Sequence, residues 1–149
     1  MEIIQKLPIV SQAILYILLA LMFLHSVIIF VWQVQVIRGR AMKNADGSFD
    51  SWHEQKNYYG IALADVLLSC PINILGILLV FISPRWEFYL ISLVSFWWLW
   101  ANTMTTANSL KFEKPKMTFY WVISFPFGIF IGLSYIVFTF VHFDVIFGV

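Results

Sequence analysis

"GIALADVLLSCP", residues 60–71, sets one aspartate, Asp65, inside an otherwise apolar run. Whether this run is the core of a soluble domain or a membrane span decides the fold, and composition answers first. The 149 residues are 61% hydrophobic, 19% aromatic and only 11% charged, where soluble domains carry about a quarter charged residues. Mean hydropathy is +0.85. The sequence predicts an integral membrane protein.

Asp, Glu, Lys and Arg are absent between Lys6 and Arg38, from Phe88 to Leu110, and from Met117 to Phe143. A helix needs roughly 20 apolar residues to cross a hydrocarbon core about 30 Å thick, and each run is long enough. Asn57 to Pro84 is as long and is interrupted only by Asp65. The expected fold is therefore all-α: a polytopic, four-transmembrane-helix bundle with spans near 9–36, 57–83, 87–110 and 117–142. It forms a single membrane domain over 1–149, with no room for a separate soluble one. The first run exceeds the ~7–15 apolar residues of a cleavable signal's core and has no small-residue cleavage site after it, so it is expected to persist in the mature protein.

Lys and Arg accumulate on the cytoplasmic side of membrane proteins. Arg38, Arg40, Lys43 and Lys56 lie in one polar stretch, and Lys111, Lys114 and Lys116 in another; only Lys6 and Arg85 fall on the opposite side. Loops 37–56 and 111–116 are thus expected to be cytoplasmic and both termini outside or lumenal, in a bacterial or archaeal plasma membrane or a eukaryotic endomembrane. A net charge of +1 fits this topological bias and not a nucleic-acid partner. Trp52, Tyr58, Tyr59, Trp86, Tyr120 and Trp121 fall near the span ends, where amphipathic aromatics belong.

Steps of three or four residues from Asp65 give Tyr58, Ala62, Ser69, Asn73 and Gly76, one small or polar face of the second helix. Similar stripes are Ser92, Ser95, Asn102, Thr106 and Ser109 on the third, and Ser124, Gly128, Gly132, Tyr135, Thr139 and His142 on the fourth. The first has a weaker one: Leu18, Met22, His25 and Trp32. Lipid offers no hydrogen bonds, so the stripes should face one another. Taking the middle of each run as the midplane sets His25, Asp65 and Asn102 at one depth, with Ser124 and either Thr105 or Thr106 close by. Asp65 is then expected to pair with His25 and to accept a bond from Asn102. An ionisable group within a span marks a functional site by default, so the candidate ligand-binding set is His25, Asp65, Ser69, Asn73, Asn102, Thr106 and Ser124. The alternative is a polar clasp that fixes helix register.

"WHEQKNYY" contributes His53, Glu54, Lys56, Tyr58 and Tyr59, either a rim attracting anionic headgroups at the cytoplasmic entrance or a solvated loop. No metal is expected, because His25 and Asp65 are two ligands where at least three are needed. His53 and His142 do not match His25 in depth for a haem, and no cofactor is named by the sequence. Cys70 is the only cysteine, which excludes an internal disulfide. Gly128 and Gly132 have the G-x-x-x-G spacing of close helix approach, and sharing a face with Ser124 and Tyr135 they are expected to pack within the bundle. Pro71 and Pro126 should kink their spans. Trp97, Trp98 and Trp100 stand near mid-bilayer, as core, pocket wall or lipid-facing groups.

The four-span layout, the outward termini and a first helix ending in "VQVIRGR" before an acidic, glycine-containing loop together resemble the MAPEG family of eicosanoid and glutathione metabolism. The resemblance spans residues 9–70 loosely. It implies a homotrimer with a lipid-facing, glutathione-binding active site. The family's Arg, Asn and Glu at the start of the second helix meet "NYYGIALAD" here, with Asp65 near the acidic place.

Three functions are consistent with the residues. The leading one is a small module of the transporter or channel kind, binding a small molecule, ion or lipid at the polar layer. A membrane enzyme on an apolar substrate, with Asp65 and His25 as acid and base, is the second. The third is a structural subunit of a larger membrane complex. Expected partners are the lipid bilayer, a small hydrophobic or amphipathic ligand, and further copies or other subunits.

Overall fold

A computed structural model describes residues 2–39, 58–113, 117 and 119–148, and among these every regular element is a helix. The short α1 (Glu2–Lys6) leads into α2 (Ile9–Ile37). A second stretch runs through α3 (Tyr59–Ala64), a π-helical turn (Asp65–Ser69) and α4 (Cys70–Leu79). Then come α5 (Pro84–Asn108), α6 (Phe119–Ser124), α7 (Pro126–Val141) and the short α8 (Phe143–Phe147). By length and composition, Ile9–Ile37 and Tyr59–Leu79 are able to cross a membrane, while the apolar Pro126–Val141 is shorter.

Prolines shape these boundaries. Pro84 begins α5, where its absent N–H would be unpaired in any case, so the second stretch ends at Leu79 and the third starts three residues before its expected position. Pro126 separates α6 from α7 at Phe125. Pro71 follows a widened turn in which the Cys70 N–H bonds the Asp65 carbonyl, five residues back. A proline ring clashes with the carbonyl four residues earlier, and the π turn gives that clash room.

α5 packs on both α4 and α7, and α2 touches α3, α4 and α7. Side-chain pairs fix the register. Gln33 meets Asp65 and Asn73 meets Ser26, so α2 and the second stretch are antiparallel. Trp98 meets Ser69, and Gly76 abuts Ile91, so α5 is antiparallel to the second stretch. The Tyr135–Glu87 bond and the contact of Gly132 with Ser95 set α7 antiparallel to α5. α1 packs on α8 at the chain ends, with Ile4, Leu7 and Ile146 buried.

The polar stripes turn inward. Ala62, Asp65, Ser69, Asn73 and Gly76 are buried, as are Ser95, Ser109, Gly128, Gly132, Tyr135 and Thr139. The outer surface carries Leu67, Leu68, Leu78, Leu93, Phe96, Phe130 and Phe140. At Gly132 an added Cβ would stand 2.7 Å from the Ser95 carbonyl oxygen, and at Gly128 it would collide with the Asn102 side chain. Both glycines therefore serve close approach of α7 to α5 within one chain. Because a backbone carbonyl cannot swing aside as a side chain can, Gly132→Ala is expected to destabilise by about 1–3 kcal/mol, the usual cost of overpacking. Thermal unfolding in detergent measures it; an unchanged midpoint would mean that α5 and α7 are not held this close.

Candidate functional site

Asp65 opens the π turn and is 5% exposed. Its Oδ1 accepts the Trp97 indole N–H at 2.8 Å, and its Oδ2 accepts the Gln33 amide N–H at 3.0 Å. These partners replace the expected His25. Gln33 lies eight residues beyond His25 on α2, about 12 Å along the axis at ~1.5 Å per residue. Taking mid-run as mid-membrane mislevelled α2, whose 29 residues extend beyond the layer they pack against.

Asn102 does stand opposite Asp65 in the α5 register, but its amide donates to the Trp98 carbonyl at 2.9 Å and its side chain lies over Gly128. The three groups therefore do not meet. An Asp65–His25 acid–base pair is not assembled, because two helical turns separate its members.

His25 belongs to another layer. At 2% exposure it sits edge-on to Trp98 and Phe127, ring centroids 4.8 and 5.8 Å away, and neither ring nitrogen has a hydrogen-bond partner among the described residues. Beside it, Asn73 donates to the Ser26 hydroxyl at 2.7 Å and to the Met22 carbonyl at 3.2 Å. The α4–α5 register brings Ser95 to the height of Asn73. The Asn73 Oδ1 and Ser95 Oγ are also buried without partners among the described residues. Trp98 joins the two layers: its ring lies against His25, and its N–H donates to the Ser69 hydroxyl at 2.9 Å.

A polar seam thus runs through the helices, with Gln33, Asp65 and Trp97 at one level, Ser69 and Trp98 between, and His25, Asn73 and Ser95 about two turns further in. A neutral imidazole offers one donor and one acceptor, a serine hydroxyl both, and an amide oxygen accepts. Leaving such groups unpaired costs on the order of 1–3 kcal/mol each. This layer concentrates unpaired hydrogen-bonding capacity inside the helices.

Of the other expected site residues, Thr106 is half-buried, with its Oγ1 shielded and unpartnered among the described residues. Ser124 is half-buried at the end of α6. Tyr58 packs edge-on to Phe125 at 6.0 Å, and Tyr59 is exposed. His53, Glu54 and Lys56 lie outside the described residues, as do most of loop 37–56 and Lys114 and Lys116. The tryptophans divide: Trp98 is core, Trp97 binds Asp65, and Trp100 faces outward. No group of three or more His, Cys, Asp or Glu suited to a metal occurs among the described residues.

Gln33 and Ser95 escaped the candidate set. Ser95 was on its stripe and needed only the register to single it out, whereas Gln33, on the weakly striped first helix, gave no periodic signal. No family model matches the chain, and no curated protein or solved structure matches it.

Proposed function

We propose that the protein is a four-span membrane module that binds a small hydrogen-bonding molecule or ion in the seam, with His25, Asn73 and Ser95 as inner contacts and Asp65 as the outer acceptor. The observation carrying this reading is His25, an imidazole closed off from solvent with neither nitrogen hydrogen-bonded among the described residues. A purely structural clasp would pair its polar atoms, as native interiors do with very few exceptions; Asp65 follows that rule and His25 does not.

The membrane setting draws support from the apolar outer faces of all the long helices, which are costly in water and free of cost in lipid. Lys and Arg then favour cytoplasmic loops 37–56 and 111–116, and the antiparallel order carries both chain ends to the opposite side. Assembly into a homo-oligomer of the MAPEG kind belongs to the same proposal. Native mass spectrometry of protein released from detergent tests it. The expected result is a stoichiometric adduct of constant mass, removed on activation, together with a defined copy number. A bare chain mass under every gentle condition would overturn the binding reading.

A further inference from the structure

A second buried carboxyl lies outside the seam. Glu87, in the first turn of α5, is 0% exposed. Its Oε1 accepts the Tyr135 hydroxyl at 2.7 Å, while its Oε2 is buried with no partner among the described residues. Tyr135 is also fully buried, and Phe88 stacks on its ring with centroids 6.4 Å apart. The α4–α5 register sets Glu87 opposite Val80, fifteen residues from Asp65, roughly 20 Å along the axis.

An ionised carboxylate needs donors on both oxygens or a paired cation, since an unpaired buried charge costs several kcal/mol. Among the described residues, the surrounding elements supply no such cation. On its own helix, Arg85 and Tyr89 are exposed. Glu2 and Lys6 of α1 and Asp144 of α8 are exposed as well. α2 brings exposed Tyr16 and, about two turns away, His25; the second stretch brings Cys70, Asp65 and, further still, Tyr59 and Tyr58, all distant. α7 brings Tyr135, and His142 at its end lies against Phe138. No second carboxylate, His or Cys joins Glu87 in a metal-holding group among the described residues, and one carboxylate with a phenol falls short of what hard cations require. A proton needs one oxygen.

We propose that Glu87 and Tyr135 form a proton-binding site at the chain-end side of the helices, separate from the seam. The proton rides on Oε2. On release the O–H bond breaks, its electron pair stays on Oε2 and the proton passes to water near the exposed Phe81–Ile82 turn, about one helical turn away. The carboxylate that remains keeps the Tyr135 bond and lies in the N-terminal turn of α5, where backbone N–H groups favour negative charge.

Infrared difference spectroscopy of the full chain in lipid, titrated with acid and base and repeated in D2O, tests this directly. The wild type is expected to show a protonated-carboxyl C=O band that fades as pH rises. Glu87→Gln removes the band, Asp65→Asn leaves it, and Tyr135→Phe moves it to higher frequency because the hydrogen bond weakening the C=O is gone. Tyr135→Phe loses only a hydroxyl and so reports even where Glu87→Gln fails to fold. Bands unaltered by either substitution, or a Glu87 band that no pH change alters, would overturn the site. Neither result depends on a ligand in the seam, so the two readings fail separately.

Discussion

Asp65→Asn is expected to keep the fold and to weaken the ligand binding proposed for the seam. In the native chain the two carboxylate oxygens accept Trp97 and Gln33. An asparagine side chain keeps one oxygen for the indole and turns an NH2 toward Gln33, whose own amide can rotate to offer its carbonyl instead. Both bonds survive in number, so stability should change by no more than about 1 kcal/mol. What disappears is the acidic group at the outer end of the seam. Losing an acceptor that a cationic or hydrogen-donating occupant bonds costs about 1–3 kcal/mol, so its affinity should fall roughly ten- to hundredfold. The adduct in native mass spectra reads this, beside a thermal midpoint as control. An adduct retained at full occupancy would reduce Asp65 to a clasp for Gln33 and Trp97.

Trp98→Ala is expected to give the largest loss of stability in the molecule. The side chain is 1% exposed, bonds Ser69 and forms one wall around His25. In lipid its removal costs packing contact rather than exclusion of water, and truncating a buried tryptophan costs about 3–5 kcal/mol. Trp98→Phe keeps most of the ring and loses the N–H, for about 1 kcal/mol. Trp100→Ala, at an outward position 56% exposed, should stay within about 0.5 kcal/mol. Thermal unfolding of the three variants orders them. Equal losses from Trp98→Ala and Trp100→Ala would contradict the inward placement of one and the outward placement of the other.

The contrast between these tryptophans shows where sequence reading stops. Residues 97, 98 and 100 share a depth and an apolar setting, and only their angles relative to neighbouring helices separate a carboxylate donor, a core anchor and an outward group. Glu87 illustrates the same limit. Beside Arg85 and Trp86 nothing in the sequence singles it out, and only the approach of α7, close because Gly132 and Gly128 lack side chains, brings Tyr135 onto it. Asp65 could be singled out from sequence because a charge within an apolar run is conspicuous on its own. Gln33, its partner, is an uncharged residue near the end of a long apolar helix.

Composition and periodicity determined that the chain is helical, that helices of spanning length occur in it, and that the small and polar stripes of the last three long stretches face inward. Those properties belong to single helices: they depend on solvent preference and a rotation of about 100° per residue, both written in the local sequence. Axial register between helices decided everything else. The offset of α2 against the second stretch gave Asp65 to Gln33 and left His25 two turns deeper beside Asn73 and Ser95. That offset is set by which small residues allow close approach and which large ones fill the space left, a condition on several helices at once that no one stretch of sequence contains.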